Sequence, residues 1–179
     1  MQTVFLILTV WKGENDMATE QELRQHRCCF TGHRMQKLNR SEEAIRRDLE
    51  LAIRMAIAGG YTTFITGMAY GVDIIAGEVV LSLKKQYLGL KLIAAVPFQG
   101  VEARWDKQWI ARFYSLLHQA DLVRTICDKY SPDAYQKRNK WMIDHSNRVI
   151  AVFNGEPSGT KQVIDYALKK TVPIELLSA

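Results

Sequence analysis

Apolar positions along the chain fall into two alternating patterns. Short runs that are apolar almost throughout, "RCCFTG" (27–32), "YTTFITG" (61–67), "LIAAVPF" (92–98), "DLVRTIC" (121–127), "RVIAVFNG" (148–155) and "VPIELL" (172–177), have strand length and strand composition. Between them the apolar residues recur at helical spacing. Asn39 and Glu42 resemble a capping pair ahead of the stripe Ile45, Leu49, Ala52, Ile53 and Ala56, which stops at Gly59-Gly60. A second stripe joins Val72, Ile75, Ala76, Val79, Val80 and Leu83; a third joins Trp109, Phe113, Leu116, Leu117 and Ala120; a last one joins Val163, Ile164, Ala167 and Leu168. "AYQKRNKWMIDHS" reads as one further, less apolar helix, "DLVRTIC" as the weakest strand, Pro97 as the end of the third strand and Pro173 as the mark of an edge strand. Strands apolar on both faces with helices between them predict an α/β fold in three layers, a parallel sheet covered on each side.

Composition narrows this without changing it. The 179 residues are 47% hydrophobic and 24% charged, the make-up of a single globular domain with a substantial core. A net charge of +5 suits an anionic partner and does not by itself name one. Three cysteines, with Cys28 and Cys29 adjacent in a strand where they cannot bridge each other, fit a reducing cytoplasm and the role of small core residues. The apolar start "TVFLILTVW" is too short to span a bilayer and is followed by "KGEND" instead of a cleavage site, so neither membrane nor signal peptide is expected. Residues 1–16, which end before Met17, are either an upstream extension or an added edge strand. The division expected is an N-terminal extension over 1–24 and one domain over 25–179.

Ligands of open parallel sheets bind beyond the carboxyl ends of the strands. Three glycine-bearing segments fall there: "TGHR" with Gly32, His33 and Arg34; "TGMAYGVD" with Gly67, Met68, Ala69, Gly71 and Asp73; and "NGEPSGT" with Asn154, Gly155, Ser158, Gly159 and Thr160. Singly, each is a tight turn. Together, two of them lead into helix N-termini whose free N–H groups suit phosphate, Arg34 adds a charged fork, and Thr31, Thr66, Ser158 and Thr160 add hydroxyls. In "YQKRNKWMIDHS", Asn139 and Asp144 are candidates for ribose or base contacts and Trp141 for stacking, although a tryptophan there serves equally as core. Trp105 is a second stacking candidate, while Trp109 belongs to its stripe. The chain has no G-x-x-x-x-G-K-[ST], no G-x-G-x-x-G after the first strand and no G-x-S-x-G, and its four histidines are scattered without ligand spacing. A P-loop, an ordinary dinucleotide dehydrogenase, a serine hydrolase and a metal centre are thus not indicated.

The segments "TGHR", "TGMAYGVDIIA", "YQKRNKWMIDHS" and "VIAVFNGEPSGTKQVIDYA", in this order, resemble the YpsA-like family of the SMF/LOG (SLOG) superfamily over residues 27–177. The glycine loop at 66–73 is also similar to that of the DprA (Smf) proteins, and "TGHR" with "NGEPSGT" to the phosphate loops of the Lonely Guy hydrolases. The resemblance implies a Rossmann-like sheet of order 3-2-1-4-5-6 carrying a nucleotide-derived ligand across the carboxyl ends of its strands, with no other cofactor; since several relatives are dimers, a homodimer is among the expectations. The Lonely Guy loop is followed within two residues by a catalytic glutamate. This chain has Lys161-Gln162 there, which speaks against phosphoribohydrolase activity.

Three functions stay open at this point. The leading one is a binding or sensing module for a nucleotide or nucleotide derivative. The second is hydrolysis of a nucleotide with Glu156 or Asp73 as general base. The third is DprA-like binding of single-stranded nucleic acid along Arg124, Lys129, Lys137, Arg138 and Lys140.

Overall fold

The computed structural model describes residues 18–179, so the expected N-terminal segment 1–16 lies outside the described residues. The elements follow the alternation of apolar patterns: α1 (Glu20–Gln25), β1 (Arg27–Gly32), α2 (Glu42–Ala58), β2 (Thr63–Thr66), α3 (Val72–Lys84), β3 (Lys91–Phe98), α4 (Lys107–Gln119), β4 (Leu122–Cys127), α5 (Ala134–Asp144), β5 (Arg148–Phe153), α6 (Gly159–Lys169) and β6 (Ile174–Ser178). Two boundaries differ from the sequence reading. Ser41, not Asn39, caps α2: its hydroxyl accepts from the Ala44 amide at 3.2 Å, and a cap must immediately precede the first helical residue. Strand β3 also runs through Pro97 to Phe98. Its pairing with β2 ends at Thr66↔Ala94, so the missing N–H of Pro97 breaks no bond on that side.

All strand pairs are parallel, and the sheet order is β4-β3-β2-β1-β5-β6. The reversal expected of a Rossmann-like sheet therefore lies beside β1. Where the resemblance put the fourth strand next to β1, that strand instead extends the other wing as its edge, and β5 pairs with β1. The physical reason is continuity of the crossovers: α2, α3 and α4 pack in one layer, so β2, β3 and β4 step outward in one direction, and only the connection through α5 turns back.

Strand side chains alternate between two cores. Phe30, Phe64, Leu92, Ala94 and Ile150 face α2, α3 and α4, whereas Cys29, Ile65, Ile93, Val149 and Ala151 face α5 and α6. The five stripe residues of α2 are all buried, as are the six of α3. On the outer surface Arg112 joins α4 to Glu42 of α2 and Glu78 of α3 at 2.8 and 2.7 Å, and Arg46 reaches the same two carboxylates, which ties the three helices of this layer together. Leu122 and Val123 of β4 are exposed, as an edge strand leaves them. α1, whose Thr19–Glu22 capping box closes its first turn, contains no buried residue. Among the described residues no helix is long and apolar enough to cross a membrane.

Candidate functional site

The reversal between β1 and β5 leaves a gap at the carboxyl edge of the sheet, because α2 and α6 leave it on opposite faces. A cleft of about 380 Å³ opens there. The end of β1 and the loop after it form one wall with Gly32, His33, Arg34 and Lys37; Ala69 and Tyr70 come from the β2–α3 connection and Asp73 from the first turn of α3; Tyr135, Arg138, Asn139 and Met142 come from α5; Ser158, Gly159, Thr160 and Val163 come from the start of α6.

The first two loops are locked together by backbone. Gly71, the N-cap of α3, has φ +103°, and a Cβ placed on it would lie 2.8 Å from the His33 carbonyl oxygen and 2.9 Å from the Arg34 Cα. Only glycine combines that conformation with that proximity. The Val72 amide donates to the His33 carbonyl at 3.4 Å, which holds the β1 loop against the start of α3.

Asp73 sits in the first turn of α3 and is buried. One carboxylate oxygen accepts from the Ala69 amide at 3.3 Å and from Arg138 Nη1 at 3.1 Å, and the same Nη1 donates to the Gly67 carbonyl. A Cβ on Gly67 would come within 2.6 Å of the Arg138 guanidinium carbon, so this glycine makes room for a side chain. Burial pushes the Asp73 carboxyl up and the Arg138 guanidinium down, and each holds the other ionised. Arg138 is 4% exposed, yet its Nε is buried without a hydrogen-bond partner among the described residues. A desolvated guanidinium with a donor to spare thus forms part of the cleft wall.

The third loop is shaped by its own side chains. Asn154 Oδ1 accepts from the Glu156 amide at 3.0 Å, and Ser158 caps α6 by accepting from the Lys161 amide at 3.2 Å. The first amides of a helix have no intrahelical partner, which leaves those of Gly159 and Thr160 directed out of the helix end at the cleft. His33 links this loop to the first: its ring stacks on Phe153 with 5.5 Å between centroids, and its Nε2 accepts from the Asn154 amide at 3.3 Å. The proton of the neutral ring is therefore on Nδ1. Burial, with Lys37 adding to it, holds the imidazole below its ordinary pKa.

Of the residues singled out from sequence, Gly32, His33, Arg34, Ala69, Asp73, Asn139, Ser158, Gly159 and Thr160 line the cleft. Gly67, Met68 and Gly71 stand behind the wall, Met68 with its side chain in the core, and Asn154 and Gly155 lie in the loop that His33 supports. Trp141 and Asp144 are elsewhere on α5. Trp141 stacks on His145 at 4.2 Å, and Asp144 accepts from the Tyr166 hydroxyl at 3.0 Å. Helical spacing explains the split, since Tyr135, Arg138, Asn139 and Met142 share one face and Trp141 and Asp144 another. Trp105 packs edge-on against Tyr70 and Phe113, at the margin of the core. Lys37, Tyr70, Tyr135 and Arg138 were not singled out as cleft residues. Lys37 was within reach, one turn past Arg34, and Tyr135 and Arg138 follow once Asn139 is placed inward. The basic run is also not one surface: Arg138 is interior, and Lys137 pairs with Asp133 at 2.9 Å on the outside. Among the described residues no group of three His, Cys, Asp or Glu gathers as a metal site.

Comparison with known proteins places this arrangement. A family model, YpsA, described as the YspA SLOG family, matches residues 28–177. Among curated proteins, the uncharacterized SPbeta prophage-derived protein YoqJ of Bacillus subtilis (strain 168) is 38% identical over 119 residues, 59% of this chain and 69% of YoqJ. A UPF0398 protein of Bacillus cereus (strain AH187) is 31% identical over 135 residues, 74% of this chain and 73% of that protein. Among solved structures, DNA processing protein A of Helicobacter pylori, described for its single-stranded DNA binding mode, superposes with a TM-score of 0.61 at 17% identity, covering 89% of this chain and 68% of that one. The Chlamydomonas rheinhardtii Moco carrier protein superposes with a TM-score of 0.51 at 18% identity, covering 86% and 76%. At such identities the structures share a fold with this chain. The sequence match through nearly the whole sheet is stronger, and by it this chain belongs to the YpsA family of SLOG proteins.

Proposed function

We propose that the cleft binds a nucleotide or nucleotide derivative through its phosphate, and that the protein acts as a binding or sensing module. The observation that carries this reading is the convergence of donors and positive charge: the Gly159 and Thr160 amides at the start of α6, the buried Arg138 in the wall, and the exposed cations Arg34 and Lys37 at the rim. Asp73 is the one carboxylate among the lining residues, and Arg138 neutralises it. The glycine loop at 66–73 serves as scaffold in this reading, because the amides of Met68, Ala69 and Val72 are already bonded to Thr66, Asp73 and His33. The amides for phosphate come from α6.

The same geometry weighs against the hydrolytic reading. Asp73 is committed to a buried ion pair, and Glu156 is exposed outside the cleft lining, so neither is placed as a general base. DprA-like nucleic-acid binding has the fold likeness behind it, but among the described residues the run from Arg124 to Lys140 is not one continuous basic track, since Arg138 is interior.

The test is titration calorimetry with a panel of nucleoside monophosphates, after native mass spectrometry of the purified protein for any ligand carried through. Arg34→Ala should weaken binding about tenfold, the worth of one charge-assisted bond to phosphate, at unchanged Tm. Equal affinity in Arg34→Ala would remove the cleft from the phosphate site, and product formation from the panel would restore the hydrolytic reading.

A further inference from the structure

A second groove of about 230 Å³ runs between α5 and α6. It is bounded by Gln136 and Lys140 of α5 and by Gln162 and Tyr166 of α6, and it shares Asn139 and Val163 with the main cleft. The two cavities therefore adjoin across Asn139 and Val163, and the groove lies next to the α6 N-terminus along the helix. Their chemistry differs. The cleft presents amides and several cations suited to an anion, whereas the groove presents three carboxamides, one aromatic ring, the aliphatic surface of Val163 and a single exposed cation, Lys140. Carboxamides carry donors and acceptors together, and with a ring beside them they match a neutral planar heterocycle that has both kinds of group at its edge.

We infer that the groove is the nucleobase subsite of the same ligand, which rests on the phosphate reading of the cleft. Asn139, on the wall common to both cavities, is placed to meet the sugar between them. Gln136 and Gln162 read the base edge from opposite helices. The ring of Tyr166 is held by its hydroxyl, which donates to Asp144 at 3.0 Å, and supplies the stacking surface. Lys170 Nζ, paired with Asp144 at 3.5 Å, stands 5.5 Å from the centroid of that ring, and Lys140 Nζ, which lines the groove, stands 5.9 Å from it. Being exposed, Lys140 can swing to solvent as the base takes its place. Asp144 then has a role through Tyr166 without touching the ligand.

The experiment compares ribose 5-phosphate with AMP, GMP, CMP and UMP by titration calorimetry, on wild type, Arg34→Ala and the double variant Gln136→Ala/Gln162→Ala. Both glutamines are exposed on helices, where alanine is at least as good a helix former, so the double variant should fold. Wild type should bind at least one nucleotide about tenfold or more tighter than ribose 5-phosphate, a difference of about 1.4 kcal/mol. In the double variant that preference should collapse to within about twofold while ribose 5-phosphate binds as before; Arg34→Ala should weaken both ligand types in parallel. A preference that survives the double variant, or that is missing in wild type while ribose 5-phosphate binds, overturns the subsite alone. Failure of all five ligands to bind overturns the phosphate reading and the subsite with it.

Discussion

Arg138 and His33 show how single residues take their roles from their surroundings. In the sequence Arg138 lies in "QKRNK", between two lysines, and such a run ordinarily lies on a solvated helix face. Its neighbours do so, but Arg138 crosses to Asp73 and Gly67, whose positions in the chain are far from its own. Breaking a buried pair strands its partner's charge, at a cost of about 3–5 kcal/mol. Arg138→Met should therefore lower Tm by on the order of 10 °C in thermal unfolding, whereas Lys137→Ala, on the exposed side, should stay within about 0.5 kcal/mol of wild type. His33 gives a pH signature. Its folded-state pKa lies below the ordinary 6.5, so the unfolded chain takes up the proton first and stability rises with pH across the interval. The contribution of the neutral ring is complete above about pH 6.5 and is lost as pH falls through the lower folded value, where a protonated Nε2 can no longer accept from Asn154. Urea unfolding of wild type should lose more stability between pH 7 and pH 5 than that of His33→Gln; parallel losses would deny the ring this role.

At the scale of elements, the site depends on how the starts of α3 and α6 are used. Both follow glycine-bearing loops, and sequence alone makes them equivalent anion sites. They differ in what already occupies them: at α3 the Val72 amide donates to the His33 carbonyl and the Asp73 carboxylate stands in the first turn, whereas the first turn of α6 carries no carboxylate and Ser158 takes only the Lys161 amide. Gly71 then acts as a spacer between loops. Gly71→Ala would add a side chain at φ +103° against the backbone of His33 and Arg34. The strain alone is about 1–3 kcal/mol. Displacing the β1 loop should also weaken phosphate binding, since Arg34 moves with it. Calorimetry and thermal melts on this variant should show both losses, and intact binding would mean that the two loops are not coupled. The helical stripes were legible because burial of one face imposes a period on the sequence itself. The cap of α2 was less so, since Asn39 and Ser41 are both good caps and backbone geometry chose the second.

For the whole molecule, the question is whether the positive charge serves a small anion or a polymer. The net charge of +5 is the same under either use. Arg124, Lys129 and Lys137 are exposed outside the cleft lining, and Arg138, which would have joined them, is buried. The triple variant Arg124→Ala/Lys129→Ala/Lys137→Ala should therefore leave mononucleotide affinity unchanged. A polymer held along these residues would instead lose affinity for a single-stranded oligonucleotide, with the salt slope falling by about 0.7 for each phosphate contact removed. Measuring both ligands at two salt concentrations separates the two uses.

Properties repeated along the chain were determined by the sequence alone: alternating strand and helix patterns, hence a parallel three-layer fold; glycine loops after strands, hence loops gathered around a cleft at the carboxyl edge; and motif order, hence the family. These are local, because hydrophobic period and turn chemistry act over a few residues. Three things waited for the tertiary structure: the place of β4 at the outer edge, the face that α5 turns inward, and the burial of Arg138 against Asp73. Each depends on a partner distant in sequence. No local period records which strands become neighbours, and a charge is driven inward or outward only by what the assembled fold offers it.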